Sequence, residues 1–285
     1  MSGVRLNAPM LRRETAAEGK MRRESGSLGG EEWKKPFVFI NVAMSADGKI
    51  ATKERRQTRI SGEEDLKRVD ALRAESDAIL VGIGTVLADN PSLTVKSDAL
   101  RKWRKMQGKD ENPMRVVVDS KARTPENADF LVKGEGKRLI AVAENAPAER
   151  VKRLRRKAEV LVCGVERVNL HSFMRELWRR GVRKLMVEGG ATLNWSLISE
   201  GLVDEIYIFV GNMIIGGKDA PSLVEGEGFL ASEMLKLSLI GVERLDDGVL
   251  LRWRVLKPQK KSSNPKNPLN TKNPLKYLAD GENRF

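Results

Sequence analysis

The stretch "KLMVEGGATLNWSLI" (residues 184–198) joins a short apolar run to a longer one through an acid and two glycines. The first run predicts a β-strand, and the apolar spacing after Thr192 predicts an α-helix. Glycines at such a junction suit a tight turn, because glycine adopts backbone angles that other residues avoid. They also leave the N–H groups at the start of a helix accessible to a phosphate group. The neighbouring junctions in the chain decide between these interpretations.

Apolar, β-branched runs recur along the chain and predict a series of strands. They cover residues 37–43, 78–83, 115–120, 138–143, 159–163, 184–189 and 205–212. Between them, helices are predicted near 61–73, 148–157, 169–181 and 191–201, and Ser61 to Glu64 match a capping box at the start of the first. Continuous apolar strands are typical of a parallel sheet that is buried on both faces.

Two late strands, near 236–243 and 249–256, are joined by Asp246-Asp247-Gly248, which predicts an antiparallel hairpin. The whole pattern predicts a single α/β domain. Its central sheet is mostly parallel and flanked by helices, and it ends in the C-terminal antiparallel hairpin.

Composition excludes several classes of protein. The chain has one cysteine, Cys163, and one histidine, His171. A disulfide framework, a zinc cluster and a Ser-His-Asp triad are therefore not expected, and no metal site is predicted. No run reaches the roughly 18 apolar residues of a membrane span, and the N-terminus lacks the apolar core of a secretion signal. We expect a cytoplasmic protein that does not bind a membrane.

The net charge of +13 is concentrated at the two ends of the chain. Residues 1–35 carry 8 Lys and Arg against 5 Asp and Glu, and residues 257–285 carry 7 against 2. Both segments lack apolar periodicity and are predicted to be disordered tails around a folded domain, 36–256. No aromatic residues alternate with the basic ones as a stacking platform requires. Specific nucleic-acid binding is not expected, and non-specific binding would be a property of the tails.

Unusual residues follow three of the predicted strands. Gly82, Gly84 and Thr85 follow one strand, Ser120 with Lys121 and Arg123 follows another, and Gly189 to Thr192 follow the third. Ligands of open parallel sheets bind at the carboxyl ends of the strands. Two glycine-lined approaches and one basic cluster are what a dinucleotide with an additional phosphate needs. The pattern is neither a Rossmann fingerprint nor a P-loop.

Four separated motifs carry a family resemblance: residues 41–52, 59–95, 115–120 and 187–206. Together they resemble the riboflavin-pathway pyrimidine reductases, a family similar to dihydrofolate reductase in fold. The likeness covers residues 36–255 and is nearest to the stand-alone, archaeal-type members. Bacterial members carry a zinc deaminase upstream, and this chain has neither H-x-E nor P-C-x-x-C.

The resemblance implies that NADPH lies across the carboxyl edge of the sheet. Ala43, Thr52 and Arg59 would meet the nicotinamide end, and Ser120 with Lys121 or Arg123 would meet the 2′-phosphate. The full implied set is Ala43, Thr52, Arg59, Gly82, Ile83, Gly84, Thr85, Asp89, Ser120, Gly189, Gly190, Ala191, Thr192 and Leu193.

The implied reaction reduces 2,5-diamino-6-ribosylamino-4(3H)-pyrimidinone 5′-phosphate to its ribitylamino product. The implied substrate-binding residues are Gln57, Arg73, Leu93, Lys96 and Glu188. Gln57 departs from the bacterial members, which have a serine there. Arg73 could also be an exposed helix residue, Lys96 a charge on an edge strand formed by "LTV", and Glu188 a cap of the following helix.

Several alternatives remain open from the sequence. The proton donor is unassigned, with Glu188, Asp47 and water as candidates, and Asp47 could equally be a turn residue of Asp-Gly. Dihydrofolate reductase, or another NADPH-dependent reductase of this fold, would place an acid such as Glu64 or Asp65 in the first helix. A non-catalytic NADP-binding protein is a further alternative. The family is typically dimeric, and residues 205–217 with the hairpin predict the homodimer interface.

Overall fold

The structure is a computed structural model that describes residues 33–56 and 58–256. The predicted tails lie outside these residues except for Trp33 to Lys35, so the domain limits stay a prediction. The Trp33 ring lies 5.5 Å from the His171 ring, and Lys35 forms an ion pair with Asp204.

A nine-stranded sheet forms the centre of the described part of the chain. Its strands are β1 (Phe37–Ser45), β2 (Ala78–Gly82), β3 (Met114–Val118), β4 (Arg138–Val142), β5 (Glu159–Val162), β6 (Lys184–Val187), β7 (Glu205–Gly211), β8 (Leu237–Leu245) and β9 (Gly248–Val255). Their order across the sheet is β5-β4-β3-β2-β6-β1-β7-β9-β8. The first seven are parallel, and β9 and β8 add antiparallel strands at one edge. The predicted fold class is confirmed.

Seven helices connect the strands in the described residues. They are α1 (Glu63–Glu75), α2 (Ile83–Asp89), α3 (Asp98–Met106), α4 (Asp129–Val132), α5 (Ala148–Leu154), α6 (Leu170–Arg179) and α7 (Ala191–Ser199). The sequence pattern predicted α1, α5, α6 and α7. It missed the short α2, α3 and α4, and it assigned Ile83 to a strand although that residue begins α2.

Both faces of the sheet are covered by apolar side chains. In β2, Ala78 and Leu80 belong to one core cluster and Ile79 and Val81 to the other, and all four are inaccessible to solvent. The first cluster also contains Phe173 of α6, with side chains of α7, whereas the second contains side chains of α2, α4 and α5. This two-sided burial is the reason that the strands are continuously apolar rather than alternating.

The predicted capping box at the start of α1 is wrong. Gly62 is the N-cap residue and makes no side-chain cap, while the Ser61 hydroxyl donates to the carboxylate of Asp65 at 2.5 Å. The cap comes from the β8–β9 turn, where the Asp246 carboxylate accepts hydrogen bonds from the N–H groups of Glu64 and Asp65 at 3.1 and 3.0 Å. A carboxylate at a helix N-terminus accepts hydrogen bonds from N–H groups that have no partner inside the helix. Its negative charge is also attracted to the positive end of the helix dipole.

Within residues 33–56 and 58–256, no helix is long and apolar enough to cross a membrane. The same residues contain no cluster of three or more His, Cys, Asp or Glu side chains that could hold a metal ion.

Candidate active site

The two glycine-bearing junctions meet at the carboxyl edge of the sheet, because β2 and β6 are neighbours. The N–H of Gly82 donates to the carbonyl of Gly189 at 2.8 Å. A Cβ added to Gly82 would lie 3.8 Å from the nitrogen of Gly190, and one added to Gly190 would lie 3.1 Å from Oγ1 of Thr85. Two segments that are a hundred residues apart in sequence therefore form one surface.

This surface fits the phosphate groups of a dinucleotide. A Cβ added to Gly84 or Gly189 would meet nothing within 4 Å, so the backbone there faces open space. Gly190 is the N-cap of α7, and the first N–H groups of a helix have no partner inside the helix. Three side chains of the predicted set, Ile83, Ala191 and Leu193, are buried, which leaves only their backbone available to a ligand.

In addition to this glycine surface, a second possible ligand site is a cleft near the end of β3, the strand beside β2, which we call the second cleft. It has a volume of about 470 Å³, and its lining residues are Ala122, Arg123, Thr124, Pro125, Glu126, Arg150, Arg153 and Leu154. Ser120, two residues before this lining, accepts a hydrogen bond from the N–H of Val168 at 3.1 Å. Arg150 and Arg153 were not predicted from the sequence, because α5 lies about thirty residues further along the chain.

A cleft of about 570 Å³ lies at the other end of this edge, between β1, the following loop and the start of α1. Its lining residues are Ala43, Ile50, Thr58, Arg59, Ile60, Ser61 and Leu66. Two predicted nicotinamide contacts, Ala43 and Arg59, are thus brought together. Thr52 lies in the same loop but is not part of the lining, and Gln57 lies outside the described residues.

Arg73 and Glu188 form a bidentate ion pair beside this edge. Nε and Nη2 of Arg73 each donate to a carboxylate oxygen of Glu188 at 2.7 Å, and Nη1 donates to the carbonyl of Thr94 at 3.1 Å. Burial lowers the pKa of Arg73, but the adjacent carboxylate of Glu188 outweighs it, so the net shift is upward. Arg73 is therefore not a solvated helix residue, and Glu188 does not cap α7.

Lys96 lies near this pair. Its ammonium donates to the hydroxyls of Ser92 and Thr94 at 2.8 and 3.0 Å. Partial burial lowers the pKa of Lys96, and the positive charge of Arg73 lowers it further. Two cations and two hydroxyls are consequently grouped around Thr94.

The strand predicted for "LTV" is wrong. Leu93 is buried with φ of 53°, and residues 90–97 form an irregular segment. Its N–H groups bond to side chains instead of a neighbouring strand: Val95 donates to Asn112, and Lys96 donates to Asp70. Side-chain acceptors compete with sheet pairing in this way, and the sequence pattern does not reveal it.

Asp47 is held as a loop anchor. Its carboxylate accepts hydrogen bonds from the Ser45 hydroxyl and from the N–H groups of Ile215 and Gly216. These bonds, with Ser45 first, lower the pKa of Asp47 to about 2. A carboxyl group that is ionised throughout the neutral range is a poor proton donor, so the turn interpretation is favoured.

Two acids of α1, Glu64 and Asp65, pair with basic residues of the same helix. Asp65 is 1% exposed and pairs with Arg68 at 2.7 Å, while Glu64 is exposed and pairs with Lys67 at 2.6 Å. Neither acid is among the residues that line the cleft beside α1, so the structure gives no support to a pteridine-binding acid there.

The family model described as "RibD C-terminal domain" matches residues 36–251, and the chain belongs to this family. The protein is therefore an oxidoreductase. Among its relatives is the 2,5-diamino-6-ribosylamino-4(3H)-pyrimidinone 5′-phosphate reductase of Archaeoglobus fulgidus, 54% identical over 77% of this chain and 98% of that protein. The reductase of the same name from Methanothermobacter thermautotrophicus is 47% identical over 78% of this chain and 99% of that protein.

Solved structures agree with the fold. Acinetobacter baumannii RibD superimposes with a TM-score of 0.64 at 25% identity. The match covers 78% of this chain and 59% of that one, so this chain spans about three fifths of that RibD.

Proposed function

We propose that this protein reduces 2,5-diamino-6-ribosylamino-4(3H)-pyrimidinone 5′-phosphate to the ribitylamino compound in riboflavin biosynthesis, with NADPH as the reductant. The observation that carries the proposal is the convergence of the Gly82 and Gly190 junctions beside the Arg73–Glu188 pair. That arrangement offers a dinucleotide surface next to a charged substrate pocket. Two relatives with this named activity match nearly their whole length to this chain.

The cofactor would be held along the edge from β3 to β1. Gly82 to Thr85 and Gly189 to Leu193 would bind the pyrophosphate through backbone N–H groups, and Ala43 and Arg59 would contact the nicotinamide end. The bound cofactor supplies the hydride. The arginines of the second cleft, Arg123, Arg150 and Arg153, support a preference for the 2′-phosphate of NADPH.

The 5′-phosphate of the substrate matches the charges around Lys96. Burial and then the positive charge of Arg73 lower the pKa of Lys96, and a bound anion would offset both effects. The hydroxyls of Ser92 and Thr94 add hydrogen-bonding groups at the same place. A phosphorylated substrate explains this cluster better than a neutral one.

Reduction needs the sugar ring to open before hydride arrives. The bond from C1′ to the ring oxygen breaks, C1′ forms a double bond to nitrogen, and the nitrogen's proton is transferred to the oxygen. The hydride then adds to C1′ and a proton adds to nitrogen. Both carboxylate oxygens of Glu188 accept hydrogen bonds from Arg73. We therefore assign Glu188 to substrate positioning and assign proton delivery to water. The protein aligns the donor and acceptor carbons.

The test is incubation of the purified chain with NADPH and the ribosylamino-pyrimidine phosphate. We expect loss of NADPH absorbance and a product that is heavier by two hydrogen atoms. With NADH, kcat/KM should fall by roughly tenfold or more, because each charge-assisted contact contributes about 1.5–3 kcal/mol. Dihydrofolate serves as the control substrate and should not be reduced. Equal efficiency with both cofactors would contradict the assigned NADPH preference.

A further inference from the structure

Asn41 is a buried polar residue that the fold does not explain. It lies in the middle of β1 and is 7% exposed. Its side-chain Oδ1 has no hydrogen-bond partner among the described residues. Leaving a buried acceptor unbonded opposes folding, so such atoms in native proteins need a specific explanation.

The side chain of Asn41 faces the active-site side of the sheet. Side chains alternate along a strand, so Phe39, Asn41 and Ala43 share one face, and Ala43 lines the cleft beside α1. The neighbouring strand gives the same result. Ile40 pairs with Val187, which places Asn41 level with Glu188, and Glu188 bonds to Arg73 of α1 on this face. Asn41 thus lies on the same face of the sheet as Ala43, the predicted nicotinamide contact, and level with Glu188, the predicted substrate-binding acid.

The adjacent strand on the other side does not supply a partner. Tyr207 of β7 pairs in register with Asn41, but its hydroxyl donates to the carboxylate of Glu205 at 2.9 Å, two residues back along β7. The Tyr207 hydroxyl is therefore satisfied within β7, and Oδ1 of Asn41 stays without a hydrogen-bond partner among the described residues. An apolar residue would pack at this position at lower cost if packing were the only requirement.

We propose that Asn41 is a substrate-binding residue whose Oδ1 accepts a hydrogen bond from an N–H or O–H group next to the carbon that is reduced. This inference rests on the proposed function and adds a residue to it. The amine nitrogen on C1′ and the ring oxygen, once opened to a hydroxyl, are the donors closest to that carbon. A neutral acceptor orients such a donor and adds no negative charge beside Glu188.

The test compares three variants of the full chain. Asn41→Leu keeps the size and branching but cannot hydrogen-bond, whereas Asn41→Asp keeps an acceptor. Tyr207→Phe is the matched control, because it removes a hydroxyl from the same face whose partner lies inside the protein. We measure kcat/KM for the ribosylamino substrate, the dissociation constant of NADPH by fluorescence, and Tm.

For Asn41→Leu we expect kcat/KM to fall at least tenfold, NADPH affinity to stay within twofold, and Tm to equal or exceed that of the parent. Asn41→Asp should retain more activity than Asn41→Leu. Tyr207→Phe should lower Tm and keep kcat/KM within twofold. If Asn41→Leu keeps full kcat/KM, or loses Tm as Tyr207→Phe does, Asn41 is structural and the inference fails. A parent that does not reduce the substrate overturns the proposed function and the inference together, whereas an active parent isolates the inference.

Discussion

Gly189 and Gly190 are adjacent, but the reasons for having glycine at the two positions differ. Gly189 has φ of +105°, a conformation that residues with a side chain rarely adopt. Gly190 has φ of −85° and ψ of −173°, which is extended backbone that any residue can adopt. The backbone conformation therefore explains the first glycine, and for the second we propose that it keeps the start of α7 accessible to a phosphate.

A substitution at Gly190 tests the phosphate surface. Gly190→Val places a branched side chain where a phosphate would approach, so we expect KM for NADPH to rise about tenfold or more, equivalent to about 1.4 kcal/mol. The fold should be retained, because the Oγ1 of Thr85 at 3.1 Å is the only contact within 4 Å and belongs to a movable side chain. Steady-state kinetics and thermal melting measure both.

Gly189→Ala is the comparison for this experiment. It should lower Tm because of its positive φ. A folded Gly190→Val enzyme with parental NADPH affinity would mean that this glycine serves packing alone.

Removing the charge of Glu188 separates substrate binding from cofactor binding. Glu188→Gln leaves the largely buried guanidinium of Arg73 without a charged partner, so we expect a loss of about 1–3 kcal/mol in the free energy of unfolding. We also expect at least a tenfold lower kcat/KM for the substrate, with NADPH affinity nearly unchanged. Glu75→Gln is the control, since its pair with Lys184 is solvent-exposed and contributes little. A parallel loss of NADPH affinity would contradict the assignment of Glu188 to the substrate.

At the scale of elements, α1 depends on a turn from the far end of the domain. Asp246 caps α1 across 181 or 182 residues of sequence. A Cβ added to Gly62 would lie 2.3 Å from Cγ of Asp246, so Gly62 is needed for this close approach. Since Ser61 and Leu66 at the start of α1 line the cleft, the hairpin supports one wall of that cleft.

Asp246→Ala should remove this cap. We expect a loss of about 0.5–2 kcal/mol in the free energy of unfolding, the usual contribution of an N-cap side chain, measured by urea denaturation. Asp247→Ala, the exposed neighbour, should change it by less than about 0.5 kcal/mol. Equal effects of the two substitutions would show that Asp246 does not act as a cap.

Sequence periodicity located the strands well and the loops poorly. The apolar runs placed all nine strands, because burial on both faces leaves a direct mark on composition. The glycines at the ends of β2 and β6 were likewise visible. By contrast, the Arg73–Glu188 pair joins residues 115 apart, the Asp246 cap joins residues more distant still, and Asn112 and Asp70 hold residues 90–97 out of any strand. Such contacts are made in three dimensions between residues with no local pattern.

At the scale of the whole molecule, the outer edge of the sheet is apolar and open. Leu237, Leu239, Ile240 and Val242 of β8 are between 36% and 60% exposed. A long apolar edge strand invites pairing with another chain unless something covers it. We propose that a second copy of this protein covers it, in agreement with the interface predicted near residues 205–217 and the hairpin.

Val242→Lys tests this interface. A charge on the apolar face of β8 should convert a dimer into a monomer in sedimentation velocity at micromolar concentration. Val165→Lys, on an exposed residue away from the hairpin, is the control and should leave the dimer intact. A parent chain that is a stable, active monomer would rule out the dimer.

The position of β1 in the sheet constrains how the domain can assemble. The first strand of the chain pairs with β6 and β7, which begin at residues 184 and 205. A growing chain on the ribosome therefore has no partner for β1 until about 150 further residues have emerged. Pairings between segments so distant raise the contact order and slow folding, and the apolar β1 stays exposed meanwhile. Because Glu188 and the two glycines directly follow β6, the step that closes the sheet is also the step that brings the candidate active site together.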